Sequence, residues 1–285
     1  MNTAAVGTLV LVSTPIGNLG DLSDRARQAL ASADVVCCED TRRTRALLSH
    51  AQITGVRLQS LHAYNEAARI DAVLDLLAEG RTVAVVSDAG TPSVSDPGAR
   101  LVSAAAERGV AVTVVPGPSA VLAALVVSGL ATDRFCFEGF LARRGGARRE
   151  QVAAISGEAR TVVLFEAPGR VAATLAELAA VCGGERRVVV ARELTKVHEE
   201  VWRGTLTEAA GEFAQRALRG EVVVVLAGAA PGPPPDDAAL ARAVQRQLDA
   251  GASLRDAADA VAAELGVARR RAYETGVALR RNAVP

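Results

Sequence analysis

Lysine is nearly absent from this sequence. Lys196 is the only lysine among 32 basic residues, and the others are all arginine. A phosphate-binding loop of the GxxxxGK[ST] type needs a lysine at a fixed place, and the single lysine does not stand in such a motif. The GxGxxG fingerprint of dinucleotide-binding proteins is missing as well. These two absences exclude the commonest glycine-rich nucleotide sites.

Long apolar stretches and patterned cysteines are also missing. No run of about 18 uninterrupted apolar residues occurs, and the N-terminus has no basic region followed by an apolar core, so we expect a cytoplasmic protein without membrane contact. The four cysteines, including the adjacent Cys37 and Cys38, fit neither a disulfide framework nor paired CxxC zinc spacing; we expect buried thiols. His50 and His62 lack metal-ligand spacing, and no metal site is predicted.

Aromatic residues are few, and the net charge is zero. Aromatics make up 3% of the chain, and 32 basic residues balance 32 acidic ones. Base stacking therefore cannot dominate any binding of nucleic acid, and recognition of shape and of 2′-hydroxyls is more plausible. Contacts to phosphates would depend on local arginine clusters, each of which also fits a solvated helix surface. The clusters are Arg42, Arg43 and Arg45; Arg143, Arg144, Arg148 and Arg149; and Arg269, Arg270, Arg271, Arg280 and Arg281.

What the chain does contain is a repeated junction of strand and loop. The apolar run at 82–86 predicts a strand buried on both faces, and it ends in the loop SDAGTPSVSDPG at 87–98. Two glycines, two prolines and two aspartates fix unusual backbone geometry there. Because ligands of open α/β sheets bind beyond the carboxyl ends of the strands, this loop is a candidate binding site.

Three more strands end in similar loops. Predicted strands at 8–13, 35–38 and 110–115 run into TPIGN (14–18), EDTR (39–42) and PGPSA (116–120). Helical spacing between them supplies the crossovers of a parallel sheet, so four loops are expected to converge at one edge. The fold class is α/β.

The chain divides into three predicted parts. An N-terminal α/β domain spans 1–138 and a second α/β domain spans 139–229, with strands at 161–165, 187–191 and 221–226 and a helix at 175–181. The stretch at 139–160, rich in glycine and arginine, is interpreted as the connection between them. The Pro-rich segment 228–235 predicts a semi-rigid linker. Beyond it, 236–285 is predicted to be a helical, helix-turn-helix-like tail, suited either to nucleic-acid binding or to packing.

Five motifs carry a family resemblance. In chain order they are STPIGNL (13–19), CEDTR (38–42), the 87–98 loop, PGPSA (116–120) and RELTKVHEE (192–200). With these motifs the chain resembles the ribosomal RNA small subunit methyltransferase I family of the tetrapyrrole methylase superfamily, over residues 7–228. The resemblance implies a two-domain tetrapyrrole-methylase-like fold and 2′-O-methylation of a cytidine in 16S ribosomal RNA with S-adenosylmethionine. It also implies action on the assembled small subunit and a homodimer.

The resemblance also implies a cofactor site in the cleft between the two domains. Its residues here would be Pro15, Asp88, Ala89, Gly90, Thr91, Pro92, Ser93, Asp96, Gly117, Ser119, Ala120 and Glu166. A carboxylate aimed at the sulfonium would stabilise the ground state more than the transition state, so Asp88 and Asp96 are better loop-shaping residues or ligands of the cofactor's polar groups. Each of these residues also has a structural alternative. Asp88 and Asp96 could cap turns and a helix that starts at Pro97, and Ser119 could be a helix N-cap.

A ribose hydroxyl is a poor nucleophile, so a general base or an oriented acceptor is expected near it. The candidates are Asp40, Glu166, Glu193 and Glu199, with Lys196 lowering the acceptor's pKa or gripping a phosphate; for Lys196 a surface ion pair is the alternative. If 192–200 is extended, Lys196 and His198 share a face opposite Glu193 and Glu199. Candidate substrate contacts are Arg42, Arg43, Arg143, Arg144, Arg170, Arg192 and His198, the last equally suited to a structural role.

Two other functions remain open from the sequence. One is a tetrapyrrole methyltransferase acting on a porphyrinogen or precorrin, since the same fold performs that reaction. The other is a non-catalytic RNA-binding protein of ribosome assembly that keeps the fold. Binding of S-adenosylmethionine or its demethylated product separates the second from both enzymes, and a porphyrinogen assay separates the first.

Overall fold

The protein is described from a computed structural model that covers residues 7–230 and 235–282. The chain forms two compact units, Met1–Ala229 and Ala230–Pro285. Residues 231–234, in the middle of the predicted Pro-rich linker, lie outside the described residues, as do 1–6 and 283–285. Across the described residues, no helix combines the length and the apolar character needed to cross a membrane.

The first unit begins with a five-stranded parallel sheet. Its strands pair in the order β3-β2-β4-β1-β5, and every pairing is parallel, as the crossover pattern predicts. The strands are β1 (Thr8–Val12), β2 (Val35–Cys38), β3 (Arg57–Ser60), β4 (Thr82–Val85) and β5 (Ala111–Val115). The helices between and after them are α1 (Asp24–Ser32), α2 (Thr41–His50), α3 (Glu66–Ala78), α4 (Ala99–Glu107) and α5 (Ala120–Ser128).

Helices cover both faces of this sheet. One face packs against α1 and α2 through Leu30 and Leu48, and the other against α3 and α4 through Leu74 and Leu101. Because both faces are covered, the central strands need apolar residues at every position, which explains the continuous apolar runs. Cys37 and Cys38 are buried within β2, as expected, whereas Cys136 and Cys182 are only partly buried; burial raises the pKa of Cys37 to about 12.

A second five-stranded sheet follows in the same unit. Its order is β6-β7-β10-β8-β9; β6 pairs with β7 in parallel and the other pairings are antiparallel. The strands are β6 (Phe135–Phe140), β7 (Thr161–Glu166), β8 (Arg187–Arg192), β9 (Glu200–Thr205) and β10 (Val222–Leu226). The helices are α6 (Gly146–Gly157), α7 (Val171–Cys182) and α8 (Leu206–Ala214).

Helix α5 joins the two halves of this unit. It follows the first sheet in the chain, yet Val121 and Leu125 pack against β10 and β7 of the second sheet, through Val223 and Val163. Helices α6, α7 and α8 cover the opposite face of that sheet. Arg203 of β9 also donates hydrogen bonds to carbonyl oxygens in the last turn of α5. Through these contacts, α5 connects the first sheet to the second sheet.

Of the ten strands within residues 7–230 and 235–282, the sequence prediction located seven. The three it missed, β3, β6 and β9, all lie at sheet edges. The stretch at 139–160, predicted to be a connection, is instead the end of β6, a short loop and the whole of α6. The interpretation failed there because the glycine and arginine content resembles a linker, although the helix buries Val152 and Ile155. The second sheet therefore begins at Phe135.

In the part of the second unit that the structure describes there are three helices, as predicted for a helical tail. They are α9 (Asp237–Asp249), α10 (Leu254–Leu265) and α11 (Arg269–Asn282). Leu240, Val244 and Val261 form a small core with Ala272. Ser253 caps α10, and Gly266 ends it in a left-handed conformation, as glycine commonly does at a helix C-terminus.

Candidate functional site

Three loops at the carboxyl edge of the first sheet are tied to one another. The first loop (13–18) and the 87–98 loop share two backbone hydrogen bonds, Thr14 N to Gly90 O at 2.9 Å and Gly90 N to Thr14 O at 3.0 Å. The hydroxyl of Thr91 accepts from Ser13 and donates to the carbonyl of Pro118, which follows β5. The predicted convergence of loops is confirmed, and hydrogen bonds hold these three in one arrangement.

The 87–98 loop adopts backbone conformations that favour glycine. Gly90 has φ of 88°, and Ser93 and Ser95 have φ of 71° and 62°. Positive φ is uncommon outside glycine, so the surroundings must hold the two serines there. The buried hydroxyl of Ser93 has no hydrogen-bond partner among the residues that the structure describes. This loop is strained and preorganised.

A carboxylate that the sequence analysis missed holds the far end of this loop. One oxygen of the buried Glu66, the first residue of α3, accepts hydrogen bonds from the amides of Gly98, Arg100 and Leu101 at 3.0–3.3 Å. It thereby caps α4, whose N-cap residue is Gly98 and has no side chain to do so. The sequence around α4 gives no sign of this cap, because Glu66 lies more than 30 positions before the helix.

A cleft of about 390 Å³ lies between the carboxyl edge of the first sheet and the second sheet. Residues from the first half that line it are Ile16, Arg43, Asp88, Ala89, Gly90, Thr91, Val94, Ser95, Asp96, Ser119, Ala120 and Val121. Those from the second half are Phe140, Phe165, Glu166, Ala167, Pro168, Gly220, Glu221, Val222 and Val223. The walls combine apolar side chains with a few polar groups, which is typical of small-molecule sites.

Some residues expected to hold a cofactor lie elsewhere in the loops. Pro15 lines a second cavity, Pro92 is buried, and Gly117 packs so closely on Ser13 that a Cβ would approach the Ser13 Cβ to 2.9 Å. Ser119 is the N-cap of α5, the structural alternative considered for it, and it lines the cleft as well.

Asp88 and Asp40 connect two of the loops. Asp88 accepts a hydrogen bond from the amide of Asp40 at 3.0 Å, and its other oxygen lies 3.6 Å from Arg43. Asp40 caps α2 and pairs with Arg42 at 2.8 Å, and these hydrogen bonds lower the pKa of Asp40 to about 2. A carboxylate with so low a pKa is a weak base at neutral pH, so this geometry favours a structural role for Asp40.

Asp96 lines the cleft and has a raised pKa. Burial is the main cause of the rise to about 6, and repulsion from Glu39 adds to it. Asp88 and Glu221 raise it further, while a hydrogen bond with Ser87 opposes the change. The charge of Asp96 therefore changes closer to neutral pH than that of an ordinary aspartate.

Replacing Asp96 by Asn is expected to stabilise the protein at neutral pH. The pKa of Asp96 is near 3.8 in the unfolded chain, so the folded chain binds its proton more tightly. The contribution of Asp96 to the free energy of unfolding is therefore fully present below about pH 4 and is lost as pH rises through 6. Asp96 is partly solvated, which limits the gain from Asp96→Asn to about 1 kcal/mol. Urea unfolding should show this gain at about pH 7.5 and none at about pH 4; equal gains at both would contradict the assignment.

Glu166, a candidate base, is fully enclosed. Its side chain has no exposed surface and pairs with Arg170 at 2.6 Å. It also accepts hydrogen bonds from Thr174 Oγ1 at 2.6 Å and from the amide of Ala167 at 2.8 Å. Arg148 extends the network through Thr174 and Glu177, so this arginine is not a free phosphate ligand. Glu166 has the contacts of a residue that fixes the cleft wall.

Lys196 lies between two carboxylates. Its ammonium is 2.7 Å from Glu193 and 3.0 Å from Glu221, which lines the cleft. Burial lowers the pKa of Lys196, but these hydrogen bonds outweigh it and the net pKa is raised. The same ion pair is the main reason that the pKa of Glu193 is lowered. The first loop packs directly beneath, since a Cβ on Gly17 would lie 2.4 Å from Lys196 Cγ.

The segment at 193–199 is not extended, so the predicted alternation of two faces is wrong. Glu193 and Thr195 have φ of 51° and 67°, and the chain makes two consecutive turns. Leu194 is buried, whereas Val197 and His198 are exposed. Tertiary contacts set these turns, because the Glu193 amide donates to the Glu221 carbonyl and the Glu193 carboxylate accepts from the Glu221 amide, each at 3.0 Å.

The candidate substrate residues fall into two groups. Arg42, Arg43, Arg143, Arg144 and His198 are exposed. Arg170 and Arg192 are engaged within the protein, the latter with Glu200 at 3.1 Å. Arg143 and Arg144 follow β6 directly, just beyond Phe140 of the cleft wall. Only the first group has side chains exposed to an external ligand.

Comparison with known proteins gives consistent results. The family described as Tetrapyrrole (Corrin/Porphyrin) Methylases matches residues 8–210. A ribosomal RNA small subunit methyltransferase I from Mycobacterium tuberculosis is 49% identical over 277 residues, 96% of each chain. A protein of the same name from Synechocystis is 43% identical over 276 residues, 96% of this chain and 99% of the other.

Solved structures share the fold. The uroporphyrin-III C-methyl transferase of Thermus thermophilus, complexed with S-adenyl homocysteine, matches with a TM-score of 0.55 and 21% identity. The match covers 78% of this chain and 97% of that one. At this identity the likeness is one of fold alone.

Proposed function

Because this chain belongs to the ribosomal RNA small subunit methyltransferase I family of tetrapyrrole methylases, we propose that it methylates ribosomal RNA of the small subunit with S-adenosylmethionine. The acceptor we propose is the 2′-oxygen of a cytidine in 16S ribosomal RNA, reached in the assembled subunit. The observation that carries this function is the cleft of about 390 Å³, where eight of the residues expected to hold the cofactor meet.

The residues of this cleft fit such a cofactor. Phe140, Phe165 and Val223 supply apolar surface, and the 87–98 loop and Ser119 supply hydroxyl and backbone groups. The loop is preorganised, so little ordering is needed on binding. When bound, S-adenosylmethionine supplies the methyl group. We assign its retention to Ala89, Gly90, Thr91, Ser119 and Ala120, with Asp88 shaping the loop through the Asp40 amide and Glu166 holding the wall at Ala167 and Pro168.

The protein's contribution to the reaction is mainly one of position. In-line transfer needs the acceptor oxygen at near-attack geometry, and the tied loops provide a rigid frame for it. To Lys196, whose partner Glu221 lines the cleft, we assign the stabilisation of the negative charge that develops on the ribose oxygen, or contact with the adjoining phosphate. We assign the uptake of the hydroxyl proton to Asp96, which lines the cleft and has a pKa raised to about 6.

Replacing Lys196 by Ala is expected to lower kcat for methyl transfer by about a hundredfold, because it removes a positioned cation near the acceptor. Affinity for S-adenosylhomocysteine should change little, since Lys196 pairs with Glu193 and Glu221 and not with the 87–98 loop. Arg216→Ala, which removes a cation that pairs with Glu200 and Glu212, is the control and should retain activity. A loss of cofactor affinity without a loss of kcat would contradict this role.

A homodimer is part of the proposal. On the exposed side of α5, Leu122 and Val126 lie one turn apart with 50% and 68% of their surfaces accessible, and Val114 of the edge strand β5 is 48% exposed. Such a set of exposed apolar side chains suits contact with a second copy. We expect Val126→Glu to shift the protein toward monomer in analytical ultracentrifugation, with the Arg45→Glu variant unchanged. A dimer that tolerates Val126→Glu would place the interface elsewhere.

The function is tested in cells. Ribosomal RNA from cells with and without this gene is digested to nucleosides and measured by mass spectrometry. We expect one 2′-O-methylcytidine of the small subunit to disappear and to return with the intact chain but not with the Lys196→Ala variant. An unchanged rRNA together with methylation of a porphyrinogen would favour the tetrapyrrole reaction. No calorimetric binding of S-adenosylhomocysteine would favour a non-catalytic role. The cytoplasmic location belongs to the same proposal.

A further inference from the structure

A second cavity adjoins the cleft on the other side of the first loop. It measures about 260 Å³ and lies between that loop and α2, and we name it the α2 cavity. Its lining residues are Thr14, Pro15, Leu19, Arg43, Thr44, Ala46, Leu47, Ser87 and Asp88. Arg43 and Asp88 line both spaces, so the two cavities meet at this pair of side chains.

The walls of the α2 cavity are mostly apolar. Pro15, Leu19 and Leu47 contribute hydrocarbon surface, and 45% of Leu19 remains exposed. A hydrophobic side chain left open beside a cavity gains by contact with an apolar or flat aromatic surface. The chemistry of these walls suits the face of a planar ring.

Polar groups are concentrated where the cavity meets the cleft. One oxygen of Asp88 accepts from the Asp40 amide, while the other has only the 3.6 Å approach of Arg43. That oxygen therefore keeps capacity to accept a hydrogen bond from an amino group. The Arg43 side chain is 66% exposed and its guanidinium is only loosely engaged, so it keeps donors for an anion.

Further positive charge surrounds the opening. Arg42 and Arg45 flank Arg43 on the exposed part of α2, and the Arg42 side chain is 85% exposed. An arginine-bearing rim beside an apolar cavity matches the chemistry of a nucleotide, which joins a flat base to a phosphate.

We propose that the α2 cavity receives the base of the nucleotide whose ribose is methylated. This inference rests on the proposed function. A base stacked in folded RNA must leave its stack to present its ribose within a protein cleft, and apolar walls that replace the lost stacking favour this. Asp88 would accept from the exocyclic amino group of cytosine, a contact typical of carboxylates, and the α2 arginines would hold the neighbouring phosphates.

The reverse arrangement, with the cofactor in the α2 cavity, agrees less well with the residues. Of the set implied for the cofactor, Ala89, Gly90, Thr91, Ser119 and Ala120 line the cleft. Pro15 alone of that set lines the α2 cavity without also lining the cleft. The cleft is also the larger space. Since a base and its ribose are one covalent unit, a base in the α2 cavity brings the ribose to the Arg43–Asp88 boundary with the cleft.

Filling each space in turn tests the assignment. Ala46→Trp fills the α2 cavity, Ala120→Trp fills the cleft, and Ser49→Trp places the same side chain on an exposed position of α2 outside both lining sets. For each variant of the full chain, calorimetry with S-adenosylhomocysteine measures cofactor affinity. Methyl transfer from tritiated S-adenosylmethionine to small subunits isolated from cells lacking this protein measures kcat/KM.

We expect Ala46→Trp to lower kcat/KM by about tenfold to a hundredfold, as the loss of one stacked base would, while cofactor affinity stays within about twofold. Ser49→Trp should match wild type in both assays, and Ala120→Trp should lose cofactor affinity. Normal transfer by Ala46→Trp would overturn the inference, and so would a loss of its cofactor affinity. A wild-type protein that binds S-adenosylhomocysteine but labels no RNA would overturn the proposed function itself and this inference with it.

Discussion

Gly90→Val should lower affinity for S-adenosylhomocysteine by about a hundredfold, since a strain of 1–3 kcal/mol falls on the loop that forms the cleft wall. Gly90 has φ of 88°, where a β-branched residue is strongly disfavoured. A Cβ there would also lie 3.3 Å from Ile16 Cγ2. Both backbone hydrogen bonds to Thr14 would be strained, so the loop would lose the arrangement that the cofactor needs.

The matched control is Gly109→Val. Gly109 has φ of 69° and follows α4, and a Cβ there meets nothing within 4 Å. It therefore carries a similar backbone strain without touching the cleft. We expect thermal unfolding to show a comparable loss of stability in both variants, and calorimetry to show a loss of affinity in Gly90→Val alone. Equal affinities in the two variants would mean that the 87–98 loop does not hold the cofactor.

Glu166→Ala should lower the free energy of unfolding by about 3–5 kcal/mol, the effect of removing one partner of a buried ion pair. The change leaves Arg170, Thr174 and the amide of Ala167 without the carboxylate that accepts their hydrogen bonds. Cofactor affinity should fall as well, because Ala167 and Pro168 line the cleft and depend on this anchor. Urea unfolding at neutral pH measures the first effect and calorimetry the second.

An exposed ion pair provides the comparison. Asp71 and Arg108 approach to 2.8 Å, but 82% and 54% of their side chains are accessible. Asp71→Ala should leave stability nearly unchanged, because exposed pairs contribute little. If Glu166→Ala behaved like Asp71→Ala, Glu166 would be free to act as a base, and its assignment as an anchor of the cleft wall would be wrong.

The sequence was sufficient to predict strands where burial on both faces requires apolar residues. The continuous apolar run of β4 predicts a covered parallel strand, which is found, and the loop that follows it lines the cleft. The strands that escaped prediction, β3, β6 and β9, are edge strands. Edge strands are half-exposed and carry mixed residues, so neither a continuous run nor clean alternation marks them.

Features set by distant contacts were beyond the reach of sequence reasoning. Glu66 caps a helix more than 30 residues away, and the turns at Glu193 and Thr195 depend on pairing with the backbone at Glu221. The composition of the Arg148 region resembles a linker, yet its guanidinium is bound inside the fold. The motifs thus identified the residues that meet at the cleft, while the roles of the charged ones depend on partners that only the structure reveals.

Methyl transfer followed by nucleoside analysis tests the central claim most directly. Small subunits from cells lacking this protein are incubated with the purified chain and tritiated S-adenosylmethionine, and the RNA is digested and separated. We predict that the label appears in 2′-O-methylcytidine with the wild-type chain and is lost when Ala120→Trp fills the cleft. Label in a base-methylated nucleoside, or undiminished label with the cleft filled, would contradict a cleft that presents the methyl donor to a ribose oxygen.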